Sequence, residues 1–145
     1  MKKEVYLVQT DTTVGFLSQS KEALIKAKNR SPKNPFLITT AFHIVQKTLS
    51  RTPKKYKKLV RRSSKTTFIY PNKKAIRVVK DVMHKNFLKE FDFLYSSSAN
   101  KTKEKFDKEY AYEKADIIIE DSRGFYETSP STIIKIGKKT LEKIR

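Results

Sequence analysis

The 145-residue chain predicts an α/β (α+β) fold. Short β-rich apolar runs alternate with segments of helical spacing, which is the pattern of strands packed with helices. One run, Ile117-Ile118-Ile119, has the continuous apolar character of a strand buried on both faces. Hydrophobic residues make up 37% of the chain, enough for a folded core at this length, and residues 1–145 read as a single domain.

Val5-Tyr6-Leu7-Val8 is the first strand, opening into the polar loop Gln9-Thr10-Asp11-Thr12-Thr13-Val14-Gly15. Ser20 suits a helix N-cap, and residues 21–28 follow with Ala23, Leu24 and Ala27 on an apolar face. Ser31 precedes Pro32, which disfavours helical dihedrals, so this helix should end near Asn29. The basic hinge 28–35 leads to a second strand, 36–39. Residues 41–49 can form a helix burying Phe42, Val45 and Leu49, and Thr52-Pro53 reads as a cap and first turn of another. Strands 66–70 and 75–79 flank a hairpin turn at Pro71-Asn72-Lys73-Lys74. Residues 82–91 are amphipathic, and Phe93-Leu94-Tyr95 starts a strand that runs into Ser96-Ser97-Ser98-Ala99-Asn100. A charged, weakly patterned segment precedes strand 116–120. Residues 131–136 are the last clear strand, while 140–145 fits either a strand or a short helix.

Lysine and arginine number 33 against 15 acids, a net charge of +18 with pI near 10.0. Such a field concentrates polyanions such as RNA. Much of the excess is lysine, whose usage also tracks coding bias, so the charge permits anion binding without specifying a partner. It is most concentrated between Lys47 and Lys65, where nine cations occur with no acid. That run reads either as a solvated helical surface or as a rim facing RNA or nucleotide.

The absence of cysteine excludes disulfides, thiolate catalysis and a cysteine zinc site. His43 and His84 lack metal-ligand spacing and read as helix-surface residues, so no metal centre is expected. No apolar run nears the ~18 residues that span a bilayer, which points to a cytoplasmic protein without membrane contact. Three glycines cannot build a P-loop or dinucleotide fingerprint, and neither a G-x-S-x-G elbow nor a carboxylate pair is present. Asp11 reads as a turn hydrogen-bonder. Any catalysis here would work by positioning and charge neutralisation.

Candidate binding groups sit at strand exits: Thr10, Thr12 and Thr13 after the first strand, Ser96, Ser98 and Asn100 at alternate positions, and Ser131 with Thr132 after Pro130. Each set is also compatible with ordinary turn chemistry. In the hinge, an extended chain would turn Lys28 and Arg30 to one side, where both could meet a phosphate.

Taken in order, these stretches resemble the YrdC-like family, the threonylcarbamoyl-AMP synthases of tRNA modification. Residues 9–16, Gln-Thr-Asp-Thr-Thr-Val-Gly-Phe, resemble P-T-D-T-V-Y-G-L. Residues 28–36 match K-G-R-P-K-D-N-P-L at Lys28, Arg30, Asn34 and Pro35. Thr67-Phe68-Ile69 fits a T-F/L-I core and Ala75-Ile76-Arg77-Val78 resembles A-V-R-V. Residues 96–100 resemble S-T-S-A-N, residues 130–134 P-S-T-I-V, and Lys143-Ile144-Arg145 stands at the family's I-L-R.

The resemblance implies a twisted mixed β-sheet with flanking helices and a basic concave face. It implies an enzyme, a nucleotidyltransferase that joins L-threonine, bicarbonate and ATP, the last with Mg2+, into threonylcarbamoyl-AMP and pyrophosphate. A tRNA threonylcarbamoyl transferase complex would consume the product, and tRNA or double-stranded RNA would be a partner. By position Lys28, Arg30, Ser98 and Asn100 would form the signature tetrad around ATP and the reacting carboxylates, joined at ATP by Asn34 and Arg145. Thr10, Arg77, Ser96 and Ser131 would surround threonine and the carbamoyl group. Lys28 and Arg30 are expected to be largely exposed.

The chain departs from the pattern at Val14 for tyrosine, Thr39 for histidine, Arg62-Ser63-Ser64-Lys65 for W-P-G-P, Val79 for proline and Thr102-Lys103 for S-G. The family's first helix has no counterpart before Val5, so the chain reads as a shortened, divergent member. The alternative is a non-catalytic RNA-binding module of the same fold.

Overall fold

The computed structural model describes residues 3–28, 36–99, 106–120, 124–126, 131–137 and 139–145. In chain order the elements are β1 (Tyr6–Gln9), β2 (Val14–Ser18), α1 (Lys21–Lys28), β3 (Leu37–Thr40), α2 (His43–Leu49), a 3-10 turn (Lys54–Tyr56), α3 (Lys57–Arg62) and β4 (Thr66–Ile69). They continue with β5 (Ala75–Val78), α4 (Val82–Leu88), β6 (Leu94–Ser98), α5 (Lys108–Lys114), β7 (Ile117–Ile119), β8 (Thr132–Ile136) and β9 (Leu141–Lys143). Parallel and antiparallel pairings both occur, so the predicted mixed α/β class holds. The chain divides into two compact units, residues 1–36 with 94–129 and residues 37–93 with 130–145.

In the first unit the strand order is β7-β1-β2-β6, with β7 parallel to β1 and the other pairs antiparallel. Leu7, Phe16, Leu24 and Ala111 are fully buried and join the sheet to α1 and α5. The Ser20 hydroxyl accepts the Ala23 amide at 3.2 Å, the predicted cap of α1. Val14 and Gly15, read as part of the polar loop, and residues 16–18, given no element from the sequence, form β2 and are buried throughout. The apolar run there is short and broken by Gly15. That glycine is required, because a Cβ would stand 3.1 Å from Thr10 Cγ2 and 3.2 Å from the Ser97 carbonyl oxygen.

The charged segment before β7 contains α5, capped by Asp107, whose carboxylate accepts the Glu109 amide at 3.0 Å. The Tyr110 hydroxyl donates to the Ala27 carbonyl at 2.7 Å and ties α5 to the end of α1. Strand β7 corrects an expectation. Ile117 and Ile118 are 37% and 38% exposed, because β7 lies at the sheet edge and pairs with β1 alone among the described residues.

In the second unit the order is β3-β5-β4-β8-β9. β3 and β5 are parallel, β5 and β4 form the predicted hairpin, β8 joins β4 in parallel, and β9 returns antiparallel to β8. The last segment is therefore a strand. The hairpin closes through Tyr70 and Lys74, with Lys73 in the left-handed region at φ 71°. Three expectations are revised here. Gln46, not Phe42, Val45 or Leu49, is the buried residue of α2, because its amide donates to the Ser50 carbonyl (2.8 Å) and the Thr52 hydroxyl (3.1 Å). Thr52 is engaged in that bond, and Pro53 stands at the N-cap of the 3-10 turn without a side-chain cap. His84 is 1% exposed, since α4 turns it inward, while Val82 on the same helix is 70% exposed.

Candidate functional site

In the first unit the strand-exit residues form two groups, one in the β1–β2 turn and one on β6. The Thr10 hydroxyl accepts the amides of Thr12 (3.2 Å) and Thr13 (3.1 Å) and donates to the Thr13 carbonyl, closing a tight turn. Gln9 holds the turn from behind: its Oε1 accepts the Tyr126 amide at 2.9 Å. Thr10 therefore shapes its loop, and Thr10, Asp11 and Thr12 are all buried.

Lys28 occupies the last turn of α1, where a cation complements the carbonyl end of the helix. Its Nζ donates to the Ser98 carbonyl at 2.8 Å, a contact across 70 residues of sequence. Lys28 is only 6% exposed, contrary to the expectation of a largely exposed side chain. Burial follows from this contact, which draws the aliphatic stem down over the sheet to reach β6. Ser98 lies opposite Gly15 and Ser96 opposite Leu17 in the β2–β6 register. The two serines share one face of β6 at different depths, Ser96 buried and Ser98 exposed. Arg30, Asn34 and Asn100 lie outside the described residues.

The second unit holds a separate polar cluster. Ser131 and Thr67 share a hydroxyl–hydroxyl hydrogen bond of 3.0 Å, both buried. Arg145 donates from Nε to the Ser131 carbonyl (2.9 Å) and from Nη2 to the Ser131 hydroxyl (3.3 Å). Arg77 on β5 is 3% exposed and pairs in register with Thr39 of β3, itself fully buried. The β4–β5 register that matches Phe68 with Ile76 puts Thr67 opposite Arg77. Thr67 is thus a site neighbour with no role assigned from the sequence. Its signals there are a hydroxyl in the first half of a strand and its place in the T-F/L-I stretch.

Each cluster offers hydroxyls and a fixed cation, which suits carboxylate and phosphate oxygens and supplies no conventional nucleophile–base pair. Among the described residues no group of three or more His, Asp or Glu side chains could hold a metal ion. No helix among them is long and apolar enough to cross a membrane.

A mixed α/β architecture with cation-and-hydroxyl clusters at strand ends is chemically suited to oxyanions. The Sua5/YciO/YrdC family model, described as Telomere recombination, matches residues 2–145, and the chain belongs to that family. A variant of Sua5 from P. abyssi superimposes with a TM-score of 0.79 at 18% identity, covering 99% of this chain and 52% of that one. Sua5 from P. abyssi complexed with L-threonine gives 0.76 at 19% identity, with 99% and 50% covered. YciO from E. coli gives 0.75 at 15% identity, with 98% and 82% covered. The chain spans about half the length of the two Sua5 structures. At these identities the likeness is one of fold. A comparison with curated proteins returned no match.

Proposed function

We propose that this chain is a threonylcarbamoyl-AMP synthase. Bicarbonate and the amine of L-threonine combine, with loss of water, into an N-carboxylate. One of its oxygens bonds to the α-phosphorus of ATP as the bond to the pyrophosphate oxygen breaks. Threonylcarbamoyl-AMP and pyrophosphate leave. The protein need supply only positioning and charge neutralisation for such a transfer. ATP enters as its Mg2+ complex, in the cytoplasm, and the product passes to a transferase complex that modifies tRNA.

The observation that carries this reading is the Lys28–Ser98 contact at 2.8 Å, which ties together the two halves of the K-x-R and S-x-N pair. Lys28 and Arg30 neutralise the phosphates and the reacting carboxylate, while Ser98 and Asn100 hydrogen-bond to them. The resemblance gives Thr10, Ser96, Arg77 and Ser131 roles in holding the threonine and carbamoyl portion. Arg145, with two of its N–H groups on Ser131, keeps others for a phosphate oxygen. The capture of L-threonine by a family member of the same fold supports the amino-acid assignment. The test is release of pyrophosphate from ATP that requires both L-threonine and bicarbonate.

A second reading, RNA binding without turnover, is favoured by the acid-free run of nine cations from Lys47 to Lys65. It predicts tRNA affinity that falls steeply with salt.

A further inference from the structure

The cationic run is built into a pocket. In the second unit α2, Arg51 and Thr52 just after it, and α3 line a cavity of about 310 Å³. That volume is at the small end of ligand sites, which run from roughly 300 to 1,000 Å³. Gln46, Thr52 and Val60 are the buried groups among its walls, and the Gln46 amide is fixed by its bonds to Ser50 and Thr52. Lys47, Arg51, Lys57 and Arg61 also line it and are exposed. No carboxylate is among the lining residues.

Two further observations mark the cavity as a seat for an anion. His43 lines it, and its Nδ1 is buried with no hydrogen-bond partner. Burial, then the charges of Lys80, Lys47, Lys85 and Arg61, hold His43 below its ordinary pKa of 6.5. Lys80 is brought in by donating to the Arg61 carbonyl at 2.6 Å. On α3, Lys57 and Arg61, and Lys58 and Arg62, are like-charge pairs four residues apart, which repel without an anion between them.

The same run carries five more cations, Lys54, Lys55, Lys58, Arg62 and Lys65, outside the lining set. One isolated phosphate leaves most of these charges unanswered, whereas a strand with regularly spaced phosphates meets several. We infer that this pocket seats a phosphodiester of a bound RNA strand, with its neighbouring phosphates along α3 and the 3-10 turn. This rests on the RNA-binding reading, and every residue in it lies outside the clusters assigned to synthesis.

The test is fluorescence anisotropy of a labelled tRNA transcript over a series of KCl concentrations, with the full chain. Three proteins are compared: wild type, the triple variant Arg51→Ala/Lys57→Ala/Arg61→Ala, and the control Lys108→Ala/Lys114→Ala on α5. The triple variant should bind about tenfold or more weakly at low salt and lose about 2 units of log–log salt slope, from about 0.7 per lost contact. The control should stay within about twofold of wild type. In parallel, the His43 imidazole resonances, assigned with His43→Gln, should shift on adding the transcript to wild type and stay put in the triple variant. Unchanged affinity and slope in the triple variant would overturn the pocket while leaving RNA binding standing. Absence of binding by wild type would overturn both. A His43 shift produced by inorganic phosphate or ATP, with none from the transcript, would make the pocket a small-anion site and overturn the RNA assignment.

Discussion

Lys28 joins stability to the proposed chemistry, because its ammonium is both buried and aimed at the strand that carries Ser98. Lys28→Ala removes a charged hydrogen bond, so the protein should lose about 1.5–3 kcal/mol in urea denaturation. Threonine-dependent pyrophosphate release should fall about 100-fold or more. Lys28→Met, which keeps the apolar stem, should recover part of the stability and none of the activity. His43 makes a second prediction at this scale. Its folded pKa is lowered by burial and by Lys80, Lys47, Lys85 and Arg61, so below pH about 6.5 the unfolded chain binds more protons at this residue than the folded one. Its contribution is fully favourable above that pH and declines as pH falls toward the lowered value. Urea midpoints of His43→Gln and wild type should therefore diverge between pH 7 and 5, with wild type losing more. Neither behaviour is legible in the sequence. A lysine in the last turn of a helix reads as solvated, and its partner lies 70 residues away.

Among the elements, the β1–β2 hairpin is the most tightly constrained part of the first unit. Gly15→Ala pushes a methyl toward Thr10 Cγ2 and the Ser97 carbonyl, and the backbone atom cannot swing aside. It should cost about 1–3 kcal/mol, seen as a lower urea midpoint with unchanged slope. Strands with three consecutive apolar residues, such as β1, and helices with a clear cap, such as α1, could be read directly from the chain. β2 could not, because a strand buried on every residue lacks alternation and this one holds a glycine and a serine. α5 could not, because Ala111 is its only fully buried residue and its other side chains read as surface. The triple isoleucine of β7 misleads in the opposite direction. Apolar content reports an affinity for burial, while the topology leaves that strand at an edge. The Ser131–Thr67 pair was half visible: Ser131 stood out at a strand start, but its partner 64 residues earlier needed the parallel β4–β8 register.

For the whole molecule, the family and its order of motifs were readable because the tetrad positions survive where neighbouring motif residues do not. The charge of +18 is the most prominent global property, and its densest stretch lies apart in sequence from the residues proposed for synthesis. The two proposed activities can therefore be separated by mutation: the lining cations of the α2–α3 pocket should affect RNA association, and Lys28 should affect turnover. The central claim is that the Lys28–Ser98 arrangement supports adenylate synthesis. The most direct measurement is pyrophosphate release by the purified chain with ATP, L-threonine and bicarbonate, alongside a competent family member. Release that stops when either threonine or bicarbonate is omitted, and that is lost in Lys28→Met, is the predicted result. Absence of threonine-dependent release while the reference enzyme is active would contradict it.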